Sequence, residues 1–176
     1  MRAQGRTLLV SLTMDEIAIR RQVAWNPHKR KWDGVIEHPF VVNGDKLKPA
    51  KEALVFVVTA IEETWEIPVG YFFINGLNSS EKKRIVEYVL SALQEVETNV
   101  IGLTFDGTYT NIATANALGC NLVINNNPLV TSFKHPTASH QVYVIMDACH
   151  MLKLTRNHFA SQESFQTING VVKWKI

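Results

Sequence analysis

The sequence has little of what a cysteine-stabilised or membrane-spanning protein requires. Its 176 residues include only two cysteines, Cys120 and Cys149, and neither belongs to a CxxC pair. This excludes a disulfide framework and a cysteine-rich zinc site, and it suits a reducing compartment. Every apolar run is far shorter than the roughly 20 residues that a membrane-spanning helix needs. We therefore expect an intracellular protein with no membrane segment.

An excess of one charge is also missing. The formal net charge is only +2, which neither favours nor excludes nucleic-acid binding, because a local basic surface can lie on a nearly neutral protein. Basic residues do cluster, in Arg20-Arg21 and in residues 28–31. A solvated hairpin and a DNA-contacting segment are both compatible with such a cluster. The chain length fits one globular domain with a sizeable core.

The hydrophobic pattern predicts an α/β fold built on a mixed sheet. Four strands of antiparallel type come first, near residues 7–14, 34–37, 54–59 and 69–74. Helices and strands then alternate, with helices at 79–97, 110–118 and 150–159 and strands at 100–105 and 142–146. A strand, a crossover helix and the next strand of one sheet run parallel, so parallel strands should follow the antiparallel ones. Asn78 and Glu81 form a capping box that predicts where the long helix begins.

Two aspartates, Asp15 and Asp106, stand where apolar, β-prone runs end. If the two strands lie side by side, their carboxylates point to one place, which is how the hard cation Mg²⁺ is held. Both aspartates are equally compatible with ordinary turns at strand ends. Glu16 would serve as well as Asp15, but neighbouring side chains of a strand point to opposite faces, so only one can face a metal.

The segment Asp147-Ala148-Cys149-His150 permits further interpretations. Asp147 is a third candidate ligand, although capping of the helix that starts near Ala148 explains it as well. Cys149 beside His150 suggests a thiol nucleophile of a small hydrolase. Adjacent helix residues point about 100° apart, however, so we favour a buried cysteine and a histidine bonded to another partner.

Three segments, taken in order, resemble one protein family. They are residues 14–20, residues 53–57 together with 65–72, and residues 144–157. This ordered set resembles the RNase H-like domain of P-element-type transposases, including the THAP-domain transposases derived from them. The resemblance extends over about residues 7–176, which is nearly the whole chain.

The resemblance implies a catalytic core that cleaves and joins DNA by two-metal chemistry, with Mg²⁺ or Mn²⁺ held by three acidic residues. Asp15 matches the first acid and Asp106 the second. The third acid lies beyond an inserted GTP-binding domain, which residues 161–176 would begin after an RNase H-like portion at residues 1–160. We therefore expect an incomplete core with little or no activity of its own and no GTP binding.

The resemblance also implies DNA, in the form of transposon ends, as the partner, and a nuclear location. An incomplete core would leave apolar surface uncovered, so a second copy of the chain or a protein partner is expected to cover it. The alternative function is a domesticated, catalytically dead module that binds protein or DNA and is indifferent to metal.

Overall fold

A computed structural model describes residues 8–42, 47–123, 127–162 and 164–173. Strands come first, and helices then alternate with strands from residue 79 onward, which is the order that the hydrophobic pattern predicted. The helices are α1 (Ser79–Glu95), α2 (Tyr109–Leu118) and α3 (Ala148–Gln162). The strands are β1 (Leu8–Ala18), β2 (Ala24–Asn26), β3 (Lys31–Asp33), β4 (Glu52–Ala60), β5 (Glu66–Ile74), β6 (Thr98–Phe105), β7 (Ser132–Lys134), β8 (Gln141–Met146), β9 (Ser164–Thr167) and β10 (Gly170–Lys173).

Six of these strands form one mixed sheet in the order β5-β4-β1-β6-β8-β7. The pairs β1–β4, β4–β5 and β7–β8 are antiparallel, whereas β1–β6 and β6–β8 are parallel. The predicted mixed α/β sheet is therefore confirmed. The remaining strands form two separate hairpins, β2–β3 and β9–β10.

The long helix α1 begins where its capping box predicted. Asn78 Oδ1 accepts a hydrogen bond from Glu81 N, and Asn78 N donates to Glu81 Oε2, each at 2.9 Å. These two bonds satisfy amide groups that the first helical turn leaves without partners. The apolar stripe of the helix, which includes Ile85 and Leu90, is fully buried. Val96, which the periodicity assigned to this stripe, lies past the helix end and is exposed.

The core lies on one face of the sheet, the face that α1 and α2 cover. Alternation along β1 turns Val10, Leu12 and Met14 toward these helices. The strand registers place other large apolar side chains on the opposite face. These side chains are at least half exposed and belong to Tyr71, Tyr143 and Ile145. We call this surface the open face, and it fits the expectation of an incomplete core.

One predicted strand is wrong. Residues 34–37 form no strand, because Gly34 takes a left-handed backbone conformation with φ +81°. Val35 and Glu37 make only isolated bridges, to Pro49 and Phe73 respectively. The basic stretch before them forms the β2–β3 hairpin, whose three-residue strands are too short to give a clear hydrophobic alternation.

The predicted boundary near residue 160 has no direct test in the fold. The β9–β10 hairpin follows α3, and the rings of Phe159 and Phe165 lie 4.4 Å apart. That residues 161–176 begin a GTP-binding insertion, and that they bind no GTP by themselves, both stay predictions. Residues 163 and 174–176 of that segment lie outside the described ranges. No helix in the described part of the chain is long and apolar enough to cross a membrane.

Candidate functional site

Asp15, Asp106 and Asp147 lie at one edge of the sheet, toward the carboxyl ends of the parallel strands β1, β6 and β8. The pairing of β1 with β6 runs up to Thr13 and Thr104, and two more residues along the same register bring Asp15 level with Asp106. The pairing of β6 with β8 ends at Phe105 and Met146, and Asp147 N then donates to the Phe105 carbonyl at 2.9 Å. The predicted side-by-side placement of the two aspartate-bearing strands is confirmed.

Asp15 does not end its strand as the sequence predicted. β1 continues to Ala18 because residues 15–18 still pair with β4, Asp15 itself opposite Val55. Only the pairing with β6 stops before Asp15. The carboxylate is exposed, and its Oδ1 accepts a hydrogen bond from Glu16 N at 2.8 Å. Asp15 therefore lies on a rigid, two-stranded extension beside the end of β6.

Glu16 points away from Asp15, so the two acids are not interchangeable. It continues the alternation of Leu12 and Met14 and lies on the core side of the sheet. Its Oε1 forms an ion pair of 2.7 Å with Lys82 Nζ. The Lys82 side chain is only 1% exposed, so Glu16 supplies the counter-charge of a buried ammonium group. This contact argues against Glu16 as a ligand.

A chain of contacts joins this ion pair to Asp106. Lys82 Nζ donates to Asn111 Oδ1 at 2.7 Å, and Asn111 Nδ2 donates to Asp106 Oδ1 at 2.6 Å. Because Lys82 can only donate, it fixes which end of the Asn111 amide faces Asp106. We call these four side chains the Glu16–Asp106 network.

Sequence reasoning missed the two central members of this network. Lys82 lies three residues before Ile85, on the apolar stripe of α1, and a cation at a stripe position signals a buried charge with a partner. Asn111 carried no comparable signal, because its role depends on α2 packing against α1.

Asp106 is held in one orientation by several groups. Its Oδ1 accepts hydrogen bonds from Thr108 N and from Asn111 Nδ2, while Oδ2 lies 4.0 Å from His150 Nε2. Burial alone would raise the pKa of this carboxyl, but the hydrogen bonds from Thr108 and Asn111 and the charge of His150 outweigh it and hold the pKa below its usual value. The carboxylate is therefore ionised at neutral pH, as a metal ligand must be.

Asp147 caps α3, which was one of its two predicted roles. Its Oδ1 accepts hydrogen bonds from Cys149 N at 2.9 Å and from His150 N at 3.3 Å. Its further role as a metal ligand stays a prediction. The histidine does have another partner, Asp106, but the prediction of a buried Cys149 is wrong, because this thiol is exposed.

The two cysteines are expected to differ sharply in reactivity. Cys120 is 8% exposed, and burial raises the pKa of its thiol to about 11, so almost none of it is thiolate at neutral pH. Iodoacetamide applied to the native protein near pH 8 should therefore add to Cys149 and leave Cys120 unmodified. Peptide mass mapping locates the adduct. Modification of Cys120 in the folded protein, whether in wild type or in Cys149→Ser, would contradict the assignment.

The side chains at this edge offer the type of ligand atom, carboxylate oxygen, that Mg²⁺ and Mn²⁺ prefer. Both Asp15 and Asp106 offer carboxylate oxygens, the ligands that hard divalent cations prefer. Among the residues that the structure describes, no group of three or more His, Cys, Asp or Glu side chains is arranged to hold a metal ion. Two-carboxylate binding by Asp15 and Asp106 therefore stays a prediction.

Known proteins resemble this chain in sequence and in fold. The human DNA transposase THAP9 is 28% identical over 167 residues, which cover 94% of this chain and 18% of that protein. The structure of the Drosophila P element transposase strand transfer complex matches with a TM-score of 0.69 at 18% identity, over 94% of this chain and 32% of the other. The chain thus spans less than a third of either relative.

The family match is more direct. Residues 2–119, more than half of the chain, match the family described as TNP-like, RNase H N-terminal domain. The parallel and antiparallel pairing of the sheet agrees with the fold of the P element transposase structure. The RNase H-like fold that the resemblance implied is therefore confirmed, and the chain belongs to the family of TNP-like RNase H amino-terminal domains.

Proposed function

We propose that this chain is the amino-terminal part of a DNA transposase catalytic core, in which Asp15 and Asp106 hold a Mg²⁺ or Mn²⁺ ion. The observation that carries the proposal is the parallel pairing of β1 with β6, whose register brings the two acids level at one sheet edge. Membership of the TNP-like RNase H family and the two similar transposases support it. Its partner would accordingly be DNA.

The residues of this edge are suited to binding a cation near a phosphodiester. A metal ion bound there would activate the attacking oxygen and stabilise the leaving one. Asp106 keeps a fixed orientation because Thr108 and Asn111 hold Oδ1. Asp15 reaches solvent from a strand that is paired on its β4 side, so it can approach a ligand without moving the backbone.

We expect the isolated chain to cleave DNA weakly or not at all. Two carboxylates hold a divalent ion less well than the three that the family resemblance implies, because each ligand removed must be replaced by water. A third acid would have to approach this edge from outside the described residues, or Asp147 would have to leave its helix-capping position.

Calorimetric titration with Mn²⁺ tests the proposal. Wild-type protein is expected to bind the ion, and Asp15→Asn/Asp106→Asn is expected to lose the binding heat because both charged ligands are gone. The matched control is Glu66→Gln/Glu95→Gln, which removes two charges at exposed positions away from this edge and should bind as wild type does. Equal binding by all three proteins, or none by folded wild type, would refute the metal site.

The open face favours a second candidate function, a binding module that no longer needs metal. Tyr143 and Ile145, two positions apart on β8, expose neighbouring apolar side chains on this face, and exposed apolar surface of this kind marks interaction sites. A protein or DNA complex that survives chelation and the Asp106→Asn change would support this function. A complex that requires the divalent ion would instead support the catalytic-core proposal.

A further inference from the structure

The β2–β3 hairpin displays a pair of tryptophans that the proposed metal site does not use. Trp25 and Trp32 are directly opposite each other in the hairpin ladder, so both side chains lie on one face of it. Their ring centroids are 5.5 Å apart at an interplanar angle of 66°. The two residues are 52% and 45% exposed, which is unusual for the side chain with the largest apolar surface.

Cationic residues flank this pair along the chain. Residues 20–33 contain five Lys or Arg side chains and one acidic residue, Asp33. Two of the five are neutralised locally, since Lys29 lies 3.7 Å from Asp33 and Lys31 bonds Glu37 at 2.9 Å. The three arginines are Arg20, Arg21 and Arg30. All three are exposed, and none forms an ion pair with a residue that the structure describes. The hairpin therefore presents exposed aromatic faces together with unneutralised positive charge.

The hairpin is anchored at the sheet edge that carries Asp15. β1 leaves the sheet at Ala18, three residues after Asp15, and Ile19 N donates to the Lys51 carbonyl at 2.9 Å. At the other end of the hairpin, Ala50 N donates to the Gly34 carbonyl at 2.9 Å. Gly34 is required there, because a Cβ atom would lie 1.8 Å from the Gln22 carbonyl oxygen. The hairpin segment therefore leaves and rejoins the sheet at the edge that carries Asp15.

A cleft continues from the hairpin along β5. It has a volume of about 350 Å³ and is lined by Lys31 on the hairpin side and by Tyr71 and Phe73 on the sheet side. The rings of Tyr71 and Phe73 lie 5.4 Å apart, and Tyr71 is 64% exposed. A second, partly exposed aromatic pair thus lies beside the hairpin, on the side that Lys31 faces and opposite to the tryptophans.

We infer that the β2–β3 hairpin binds single-stranded DNA, with unpaired bases stacking on Trp25 and Trp32 and with Arg20, Arg21 and Arg30 contacting phosphates. Proteins that hold single strands combine these two features, because every base offers a π-face and every nucleotide a charge. Tryptophan is also the best ring for cation and base stacking. The inference deepens the proposed function, on which it rests for the identity of the nucleic acid, since the hairpin would hold unpaired bases beside the scissile site.

Fluorescence anisotropy with a labelled oligothymidylate of 20 nucleotides tests the inference. The titration is made in EDTA, so that it does not depend on the metal site. Trp25→Ala/Trp32→Ala is expected to weaken binding about tenfold or more, while Trp25→Phe/Trp32→Phe retains most of it because phenylalanine still stacks. Arg30→Ala should lower the slope of log K against log salt concentration by about 0.7, the contribution of one phosphate contact to a single strand.

The controls lie outside the hairpin. Tyr88→Ala removes a half-exposed aromatic ring on α1, and Lys134→Ala removes an exposed cation on the edge strand β7. Both variants should bind the oligonucleotide as wild type does. Circular dichroism confirms that each variant is folded, which is expected because neither tryptophan belongs to the core.

Three outcomes would overturn the inference. They are oligonucleotide affinity unchanged in Trp25→Ala/Trp32→Ala, an equal loss in the alanine and phenylalanine variants, or an equal loss in the Tyr88→Ala control. Asp15→Asn/Asp106→Asn should bind the oligonucleotide normally. Wild-type protein that binds the oligonucleotide but no Mn²⁺ would therefore refute only the metal site. Wild-type protein that binds Mn²⁺ but not the oligonucleotide would refute only the hairpin surface.

Discussion

Glu16→Gln is expected to lower the free energy of unfolding by about 3 kcal/mol, because it leaves the buried Lys82 ammonium without its counter-charge. Lys82 is 1% exposed, and its other polar contact, the Asn111 carbonyl oxygen, is neutral. Removing one partner of a buried ion pair is costly for this reason, even where the pair itself contributes little net stability. Equilibrium unfolding in urea, followed by circular dichroism, measures the change.

The second partner of the pair supplies a rescue variant. Adding Lys82→Met to Glu16→Gln removes the buried charge and keeps most of the aliphatic volume, so part of the lost stability should return. The matched control is Glu37→Gln, which breaks the exposed ion pair with Lys31 and should change stability by less than about 1 kcal/mol. A Glu16→Gln protein as stable as the Glu37→Gln control would show that Lys82 is not buried as a charged group.

Asn111→Leu is expected to weaken Mn²⁺ binding by about 10- to 100-fold, the usual cost of removing a group that orients a metal ligand. Asn111 is 6% exposed and donates to Asp106 Oδ1 at 2.6 Å. Leucine has a similar volume but no donor, so Asp106 Oδ1 would lose the Asn111 hydrogen bond and keep the one from Thr108 N. Calorimetric titration of folded protein gives the affinity.

A second asparagine of the same helix provides the control for this prediction. Asn116 Oδ1 accepts from Leu122 N at 2.9 Å and makes no hydrogen bond to Asp106. Asn116→Leu should therefore cost some stability and leave Mn²⁺ affinity unchanged. If Asn111→Leu stays folded and binds Mn²⁺ like wild type, the Glu16–Asp106 network does not orient the ligand.

The elements with strong local signals were predictable from the sequence. The capping box at Asn78 and the apolar stripe around Ile85 specify α1, because both depend on residues within one or two helical turns. The helix end at Gly119, where φ is +125°, is equally local. The short strands were not predictable, since three residues are too few to establish a periodicity.

The candidate site also combines residues that the sequence indicated with contacts that only the structure shows. The sequence drew attention to Asp15 and Asp106, since each follows an apolar, strand-like run, and the family resemblance assigned both a role. It left Glu16 as an equal alternative to Asp15. The structure assigns Glu16 to Lys82, and this choice depends on which face of β1 packs against α1.

The sequence by itself determined the order of the helices and of the longer strands, the start of α1 and the positions of the acidic residues, because these follow from local propensity and short-range periodicity. Only the tertiary structure decided that β1 lies beside β6, that Lys82 is buried and that Trp25 and Trp32 share an exposed face. Each of these facts depends on pairing between segments that are distant in the chain or on strand register. A register shift by one residue would turn every side chain of a strand to the other face, so these contacts cannot be read from the residues of one segment.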